Sequence, residues 1–242
     1  MSDSLLEVSQ VTKKTGKRHL LDRVSFTLQK GKIYGFIGPH GAGKTTMMRI
    51  MTGLMQPTSG SVKIASYDVQ TDRGKALSKV GAIIESPVFF DYMTGRQVLR
   101  NLSRLHSEIV PSDREIHIEE LLTKVRLETR GDDKVKTYSL GMKQRLGIAQ
   151  SMLGAPELLL LDEPSNGLDP MGMRELRDIV LKLHDSANYA FFISSHLLDE
   201  LQQMCDELIV IKEGRLVWWG PADQIVEDGQ RLEDAFMGLM GL

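Results

Sequence analysis

Cysteine is almost absent: Cys205 is the one thiol among 242 residues. A lone thiol has no partner for an internal disulfide and no second sulfur for a metal pair, so neither organises this chain; Cys205 reads as a core residue on an apolar helix face. An excess of charge is lacking too, with 30 Lys and Arg against 32 Asp and Glu and a net charge of -2. That leaves no electrostatic footprint for nucleic acid or an acidic membrane, and no nucleic-acid partner is expected. The basic cluster Lys13, Lys14, Lys17, Arg18 and His19 is too short to change this and reads as a solvated loop. No run approaches the roughly 20 apolar residues that span a bilayer. Met1 to Gln10 carries neither a basic n-region nor an apolar h-region, so no signal peptide is expected and the chain is expected in the cytosol. What remains, 41% hydrophobic and 26% charged, is an ordinary globular composition, long enough for one large domain or one domain with an insertion.

One stretch organises the rest, from Lys32 to Gly53. An apolar run, Ile33 to Ile37, meets Gly38, Gly41 and Gly43, then Lys44-Thr45-Thr46, then Met47, Met48, Ile50 and Met51 at helical spacing. That reads as strand, loop, helix. The pattern G-x-x-x-x-G-K-[ST] is met from Gly38 to Thr45, where glycines let backbone N–H groups converge on phosphate oxygens. The following helix adds its positive end, and the Lys44 ammonium reaches the outer phosphates. Thr45 would offer its hydroxyl to Mg2+. Gly38, Pro39, His40, Gly41, Ala42, Gly43, Lys44, Thr45 and Thr46 are therefore candidate nucleotide-binding residues, and the chain is expected to bind a nucleoside triphosphate.

Around this loop the strand pattern predicts Leu5 to Val11 and Val24 to Leu28, then Ser61 to Ala65 after the turn Pro57-Thr58-Ser59-Gly60, then Val80 to Ile84 ending at Glu85. Met47, Met48, Met51 and Met55 share a helix face and read as core. From Pro87 to Gly154 the texture turns helical, with Val98, Leu99, Leu102, Leu105 and then Ile118, Leu121, Leu122, Val125 recurring at helical spacing. That insert ends in Tyr138-Ser139-Leu140-Gly141-Met142, where Ser139 suits an N-cap. Strands resume at Glu157 to Leu161, closing on Asp162-Glu163, and at Tyr189 to Ser194, leading to His196. Asp169-Pro170 is a helix start. Leu208 to Ile211 and Leu216 to Trp219 read as a hairpin around Glu213-Gly214, and Leu232, Phe236, Leu239 and Met240 as a final amphipathic helix. Two acids ending a buried strand in a phosphate-loop chain point to one carboxylate ordering Mg2+ and a second polarising an attacking water.

The set, in this order, resembles the ATP-binding cassette of ABC transporters across nearly the whole chain. Gly38 to Thr46 matches the Walker A loop, Leu158 to Glu163 the Walker B strand with its catalytic glutamate, Ser165 to Asp169 the D-loop, and His196 the switch histidine. Tyr138 to Met142 stands where the family has Leu-Ser-Gly-Gly-Gln; it keeps Ser139 and Gly141, which the family turns to the γ-phosphate, and departs at three positions. Thr15 stands where the family commonly stacks an aromatic ring on adenine, so base recognition is expected to be weaker or supplied by a neighbour such as His19. Glu85 replaces the Q-loop glutamine, and Ile84-Glu85-Ser86-Pro87 with Phe89-Phe90 resembles the bacitracin-resistance and lantibiotic-immunity exporters. Glu85 is open to two readings, a metal-contacting acid or a solvated one.

The resemblance implies an α/β fold: a P-loop ABC ATPase with a mainly parallel core sheet, an N-terminal antiparallel β layer and an inserted helical subdomain. Within a single domain over 1–242, residues 1–86 and 155–242 would form the discontinuous core and 87–154 the insert. The cofactors implied are ATP and Mg2+. Glu163, His196, Lys44 and Glu85 would be catalytic, with Ser139, Gly141 and Asp169 also on the nucleotide and Thr45, Asp162 and Glu85 on the metal. The partners implied are a second copy, or a homologous ATPase subunit, in a head-to-tail dimer, and an integral-membrane permease that holds the chain on the inner face of the cell membrane. The cargo would be a peptide antibiotic, drug or similar amphiphile. Two rivals share some motifs. A soluble ABC-type ATPase on ribosomes or DNA usually carries paired cassettes or coiled-coil arms, both missing here. A phosphoryl transferase leaves Ser139, Asp169 and His196 unexplained.

Overall fold

The computed structural model describes residues 4–187 and 189–225, together with Gly238. The expected helix around Leu232, Phe236, Leu239 and Met240 lies outside them. Two sheets carry the described residues. A six-stranded sheet runs β10-β9-β3-β8-β7-β6, built from β3 (Ile33–Ile37), β6 (Val80–Ile83), β7 (Leu158–Asp162), β8 (Ala190–Ser195), β9 (Glu207–Lys212) and β10 (Arg215–Pro221). All its neighbours are parallel except the β9–β10 hairpin. A four-stranded antiparallel sheet runs β2-β1-β4-β5, from β1 (Ser4–Thr15), β2 (Arg18–Gln29), β4 (Ser59–Ile64) and β5 (Tyr67–Asp68).

The continuous aliphatic runs of the parallel strands follow from burial on both faces. Side chains alternate, so Tyr34, Phe36, Leu158, Leu160, Phe192, Ile209 and Ile211 join the core shared with the antiparallel sheet and helix α1 (Lys44–Met51). The intervening Ile33, Ile37, Leu159, Leu161, Phe191, Ile193, Leu208 and Val210 join a second core against the other helices. Met47, Met48 and Met51 are fully buried in the first core and Met55 packs at its edge. Phe26, Phe36 and Phe192 stack there within 5.0 to 6.1 Å of one another. Cys205 is buried in the second core, where burial pushes its thiol well up, as an inert core residue requires.

Between β6 and β7 lie the helices α3 (Gly95–Ser103), α4 (Arg114–Lys124) and α5 (Leu140–Ser151), with a short 3-10 turn at Val135–Thr137 before the last. Thr94 and Gln97 close a capping box on α3. Val98, Leu99, Ile118, Leu121, Leu122 and Val125 are buried as their spacing predicts. Helix α5 lies against β6 so closely that a Cβ on Gly81 would stand 1.9 Å from the Ser151 carbonyl oxygen. The second core therefore runs without a break from these helices to the parallel sheet.

Several expectations are corrected. Strands β1 and β2 extend well past Val11 and start before Val24, joined by a two-residue turn at Gly16-Lys17. The supposed basic loop is thus mostly ladder: Lys13 pairs with Leu21, Lys14 with His19 and Thr15 with Arg18. Backbone pairing does not need apolar side chains, so a hydrophobicity pattern misses polar strand ends. Ser59 and Gly60, read as turn, open β4. Strand β5 and helix α2 (Arg73–Leu77), short and polar, left no periodic signal. Leu105 is exposed beyond the end of α3. Helices α6 (Pro170–Ala187) and α7 (Leu198–Gln202) follow β7 and β8. No helix among the described residues is long and apolar enough to cross a membrane.

Candidate active site

The carboxyl ends of β3, β7 and β8 lie side by side because β8 is paired between the other two. Each delivers one part of the site. From β3 the chain turns through Gly38 to Gly43, with Gly41 at φ 78° and Gly43 at φ 110°, backbone that an L side chain rarely adopts. A Cβ on Gly43 would also stand 2.8 Å from the Leu20 carbonyl oxygen. The Ala42 N–H closes the loop on the Pro39 carbonyl at 3.1 Å, and the Ala42 carbonyl accepts from Gly214 in the β9–β10 turn at 2.9 Å. In α1 the Met47 N–H donates to Gly43. The N–H groups of Lys44, Thr45 and Thr46 precede that first helical bond and are left for an anion.

Lys44 is buried and its ammonium donates to the Gly38 carbonyl at 2.7 Å. It also stands 3.2 Å from Glu163 Oε1. Glu163 Oε2 lies 3.0 Å from His196 Nδ1, and the His196 ring lies 4.9 Å from the ring of His40. The phosphate loop, the strand-end acid and the histidine thus form one closed circuit that starts at Gly38 and returns at His40. Burial pushes the Glu163 carboxyl up, but the hydrogen bond and charge of Lys44, with His196 behind it, outweigh burial and hold it below the usual glutamate range.

Asp162 is buried, and its Oδ1 accepts from the Ser194 hydroxyl at 2.6 Å. The same hydroxyl accepts from the Glu163 N–H at 2.9 Å. Ser194 therefore ties both acids to β8, a role its bare position as a strand-end serine did not reveal. Glu163 sits at φ 45° and Glu85, which leaves β6, at φ 66°. Left-handed backbone at two non-glycine residues is a cost that surrounding structure must sustain, and such residues gather at functional sites. Glu85 is not brought to Asp162 or Glu163; its carboxylate pairs with Arg49 on α1.

Ser139 caps α5, its Oγ accepting from the Met142 N–H at 3.2 Å. The turn it opens packs on the loop after β7: a Cβ on Gly167 would stand 3.1 Å from Leu140, and one on Gly141 3.8 Å from Leu168. No hydrogen bond or ion pair among the described residues joins Ser139 or Gly141 to Lys44. Asp169 caps α6 through the Gly172 N–H at 2.8 Å. Glu200 on α7, unremarked in the sequence, accepts from Ser165 at 2.6 Å and from Ser195 at 3.4 Å, fixing the loops after β7 and β8 to each other.

The family model described as ABC transporter matches residues 21–166. The bacitracin transport ATP-binding protein BcrA of Bacillus licheniformis is 38% identical over 92% of this chain and 71% of its own length. The lantibiotic transport ATP-binding protein SrtF of Streptococcus pyogenes is 37% identical over 96% of each chain. A solved ATP-binding subunit of an ABC transporter superposes with a TM-score of 0.85 at 27% identity, covering 98% of this chain and 100% of that one. The chain belongs to the ABC transporter family, as an ATP-binding and ATP-hydrolysing subunit. Within it, the chain is homologous to the ATP-binding proteins named for bacitracin and lantibiotic transport.

The oxygen donors present fit a hard cation. Thr45 offers a hydroxyl and Asp162 a carboxylate, and among the described residues no group of three His, Cys, Asp or Glu gathers to cage a metal. One hydroxyl and one carboxylate are oxygen donors of the kind Mg2+ takes beside waters and phosphate oxygens.

Proposed function

We propose that this chain powers the export of a peptide antibiotic or similar amphiphile through a separate integral-membrane permease, docked at the inner face of the cell membrane. The observation that carries the hydrolytic part is the Lys44–Glu163–His196 circuit. Bound Mg2+, held by Thr45 and Asp162, would supply charge neutralisation for the phosphates. Gly38 to Thr46 bind them through backbone N–H groups and Lys44. When Lys44 turns to phosphate oxygens, Glu163 loses the partner that lowers its carboxyl, and burial then moves it toward a base able to take a proton from water. His196 keeps hold of the carboxylate and sets its direction.

Ser139 is exposed and Gly141 half-buried on the insert spanning 87–154, both unconnected to Lys44, which supports a head-to-tail dimer in which each site is completed by the partner copy's signature turn. Asp169 and the loop before it would sit at that seam. The exposed Phe90 and Tyr92, with rings 5.5 Å apart, would face the permease together with the neighbouring Phe89. Action on ribosomes or DNA is not favoured, since the relatives are named for transport and the net charge is -2. A tagged copy purified from solubilised membranes is expected to bring down a multi-span protein. Recovery with ribosomes or DNA, and with no membrane partner, would overturn the transport reading.

A further inference from the structure

Arg49 follows Thr45 by one turn on the same face of α1, about 6 Å further along the axis. In register, Ile83 of β6 pairs with Leu161 of β7, so Glu85 and Glu163 leave adjacent strands at the same edge of the sheet. Yet only Glu163 reaches the phosphate loop. Glu85 turns aside at φ 66° and its carboxylate meets the Arg49 guanidinium. The Arg49 side chain has no other ion pair among the described residues, and both groups are substantially open to solvent. Such a pair adds little to stability, so the turning of Glu85 to Arg49, away from the site that Glu163 reaches from the adjacent strand, is not explained by stability alone.

We propose that Arg49 is a positioning residue that holds Glu85 one helical turn short of the metal position, so that Mg2+ bound with nucleotide at Thr45 and Asp162 must compete with a guanidinium for this carboxylate. The proposal rests on Glu85 having a metal role. It gives a reason for a carboxylate here: an amide at position 85 would lack the charge that makes the contest between Arg49 and Mg2+ an even one. The pair then reports the state of the nucleotide site. With the site free, Glu85 and the loop that follows it, toward Phe89 and Phe90, are tied to α1; with metal and nucleotide in place, Glu85 moves inward and that loop goes with it.

The test is binding, not turnover. A fluorescent non-hydrolysable ATP analogue is titrated onto the full chain with Mg2+ and again with excess chelator, and the ratio of the two affinities is the readout. Arg49→Gln is expected to raise that ratio about 2- to 5-fold, the span of a solvent-exposed ion pair, while Arg49→Lys stays near the parent. On a Glu85→Gln background Arg49→Gln should leave the ratio unchanged, which separates the pair from a mere loss of positive charge near phosphate. Raising the salt toward 1 M, where screening acts within about 3 Å, should erase the gain. An unchanged ratio in Arg49→Gln, with a lowered one in Glu85→Ala, would overturn the latch and leave the metal role of Glu85 standing. An unchanged ratio in both variants would overturn both. An equal gain on the Glu85→Gln background would assign the effect to Arg49 alone and also defeat the latch.

Discussion

The two ends of the parallel sheet carry the same chemical pair, a lysine against a glutamate, and use it differently. At the amino ends, Glu157 before β7 takes Lys30 at 2.6 Å and Lys79 at 2.9 Å, and Glu207 at the start of β9 takes Lys32 at 2.7 Å and the Trp219 indole N–H at 2.9 Å. These lysines are open to water, with 59% of the Lys30 side chain exposed. At the carboxyl ends, Lys44 is 5% exposed, its partner Glu163 stands on left-handed backbone, and a second carboxylate is buried next to it. Water screens the first arrangement and leaves it worth little, whereas the second sits where an unmatched charge is expensive. A buried pair with strained backbone is a poor way to hold a sheet together and a good way to keep groups ready for an incoming polyanion. The lesson is that burial and backbone, rather than residue type, separate the working edge from the structural one.

The strongest way to break this contrast is Glu163→Gln. It is expected to cut ATP turnover about a hundredfold or more, within the 10²- to 10⁴-fold range of general-base help, while ATP binding persists. The variant should also accumulate an ATP-loaded dimer, so a mass measurement that finds only monomer at saturating ATP would count against the shared site. Turnover near the parent's would remove Glu163 from the role of base.

Ser194→Ala probes what holds the working edge in place. It leaves Asp162 Oδ1 and one bond of the Glu163 N–H without the hydroxyl that joins them. A loss of about 1–3 kcal/mol in denaturant unfolding is expected for buried groups left unpaired, with Ser194→Thr recovering most of it. Stability and turnover both matching the parent would show the hydroxyl to be idle.

The smallest effect is expected at the other end. Glu157→Gln should leave turnover unchanged and cost no more than about 1 kcal/mol, the scale of exposed ion pairs. The hydrogen bonds from Lys30 and Lys79 hold the Glu157 carboxyl below its ordinary 4.5. A lowered carboxyl stabilises the fold fully above the unfolded value, and that contribution is lost as pH falls through the folded one. The gap in unfolding free energy between parent and Glu157→Gln should therefore be constant at neutral pH and close below about pH 4.5. A gap that widened with acid, or a drop in turnover, would contradict the division between the two ends.

Much of this was legible beforehand where physics is local. Ser139 and Asp169 cap their helices as their types and positions suggested, because a cap needs only an oxygen and the next three residues. Glu213 and Gly214 turn the β9–β10 hairpin with φ of 48° and 76°, as a tight two-residue turn demands. The parallel strands stood out because burial on both faces leaves near-continuous apolar runs, with polar residues only at the strand ends. The polar ends of β1 and β2, and all of β5, did not, because a ladder partner rather than a side chain holds them. Leu105 failed for the opposite reason: an apolar residue in register with a helix that stops at Ser103 gains nothing from the register.

Sequence by itself determined the pieces of the site: a loop that admits phosphate, a lysine and threonine to follow it, two acids closing a buried strand and a histidine closing another. Which of them meet was decided by strand order. Placing β8 between β3 and β7, and β6 beyond β7, brings Lys44, Glu163 and His196 together, sets the Ser194 hydroxyl between the Asp162 carboxylate and the Glu163 N–H, and leaves Glu85 to Arg49. Those contacts join residues 31 to 119 positions apart, and nothing in the local chemistry of either partner fixes the other. They exist because parallel strands need long crossovers, so neighbours in the sheet are strangers in the chain.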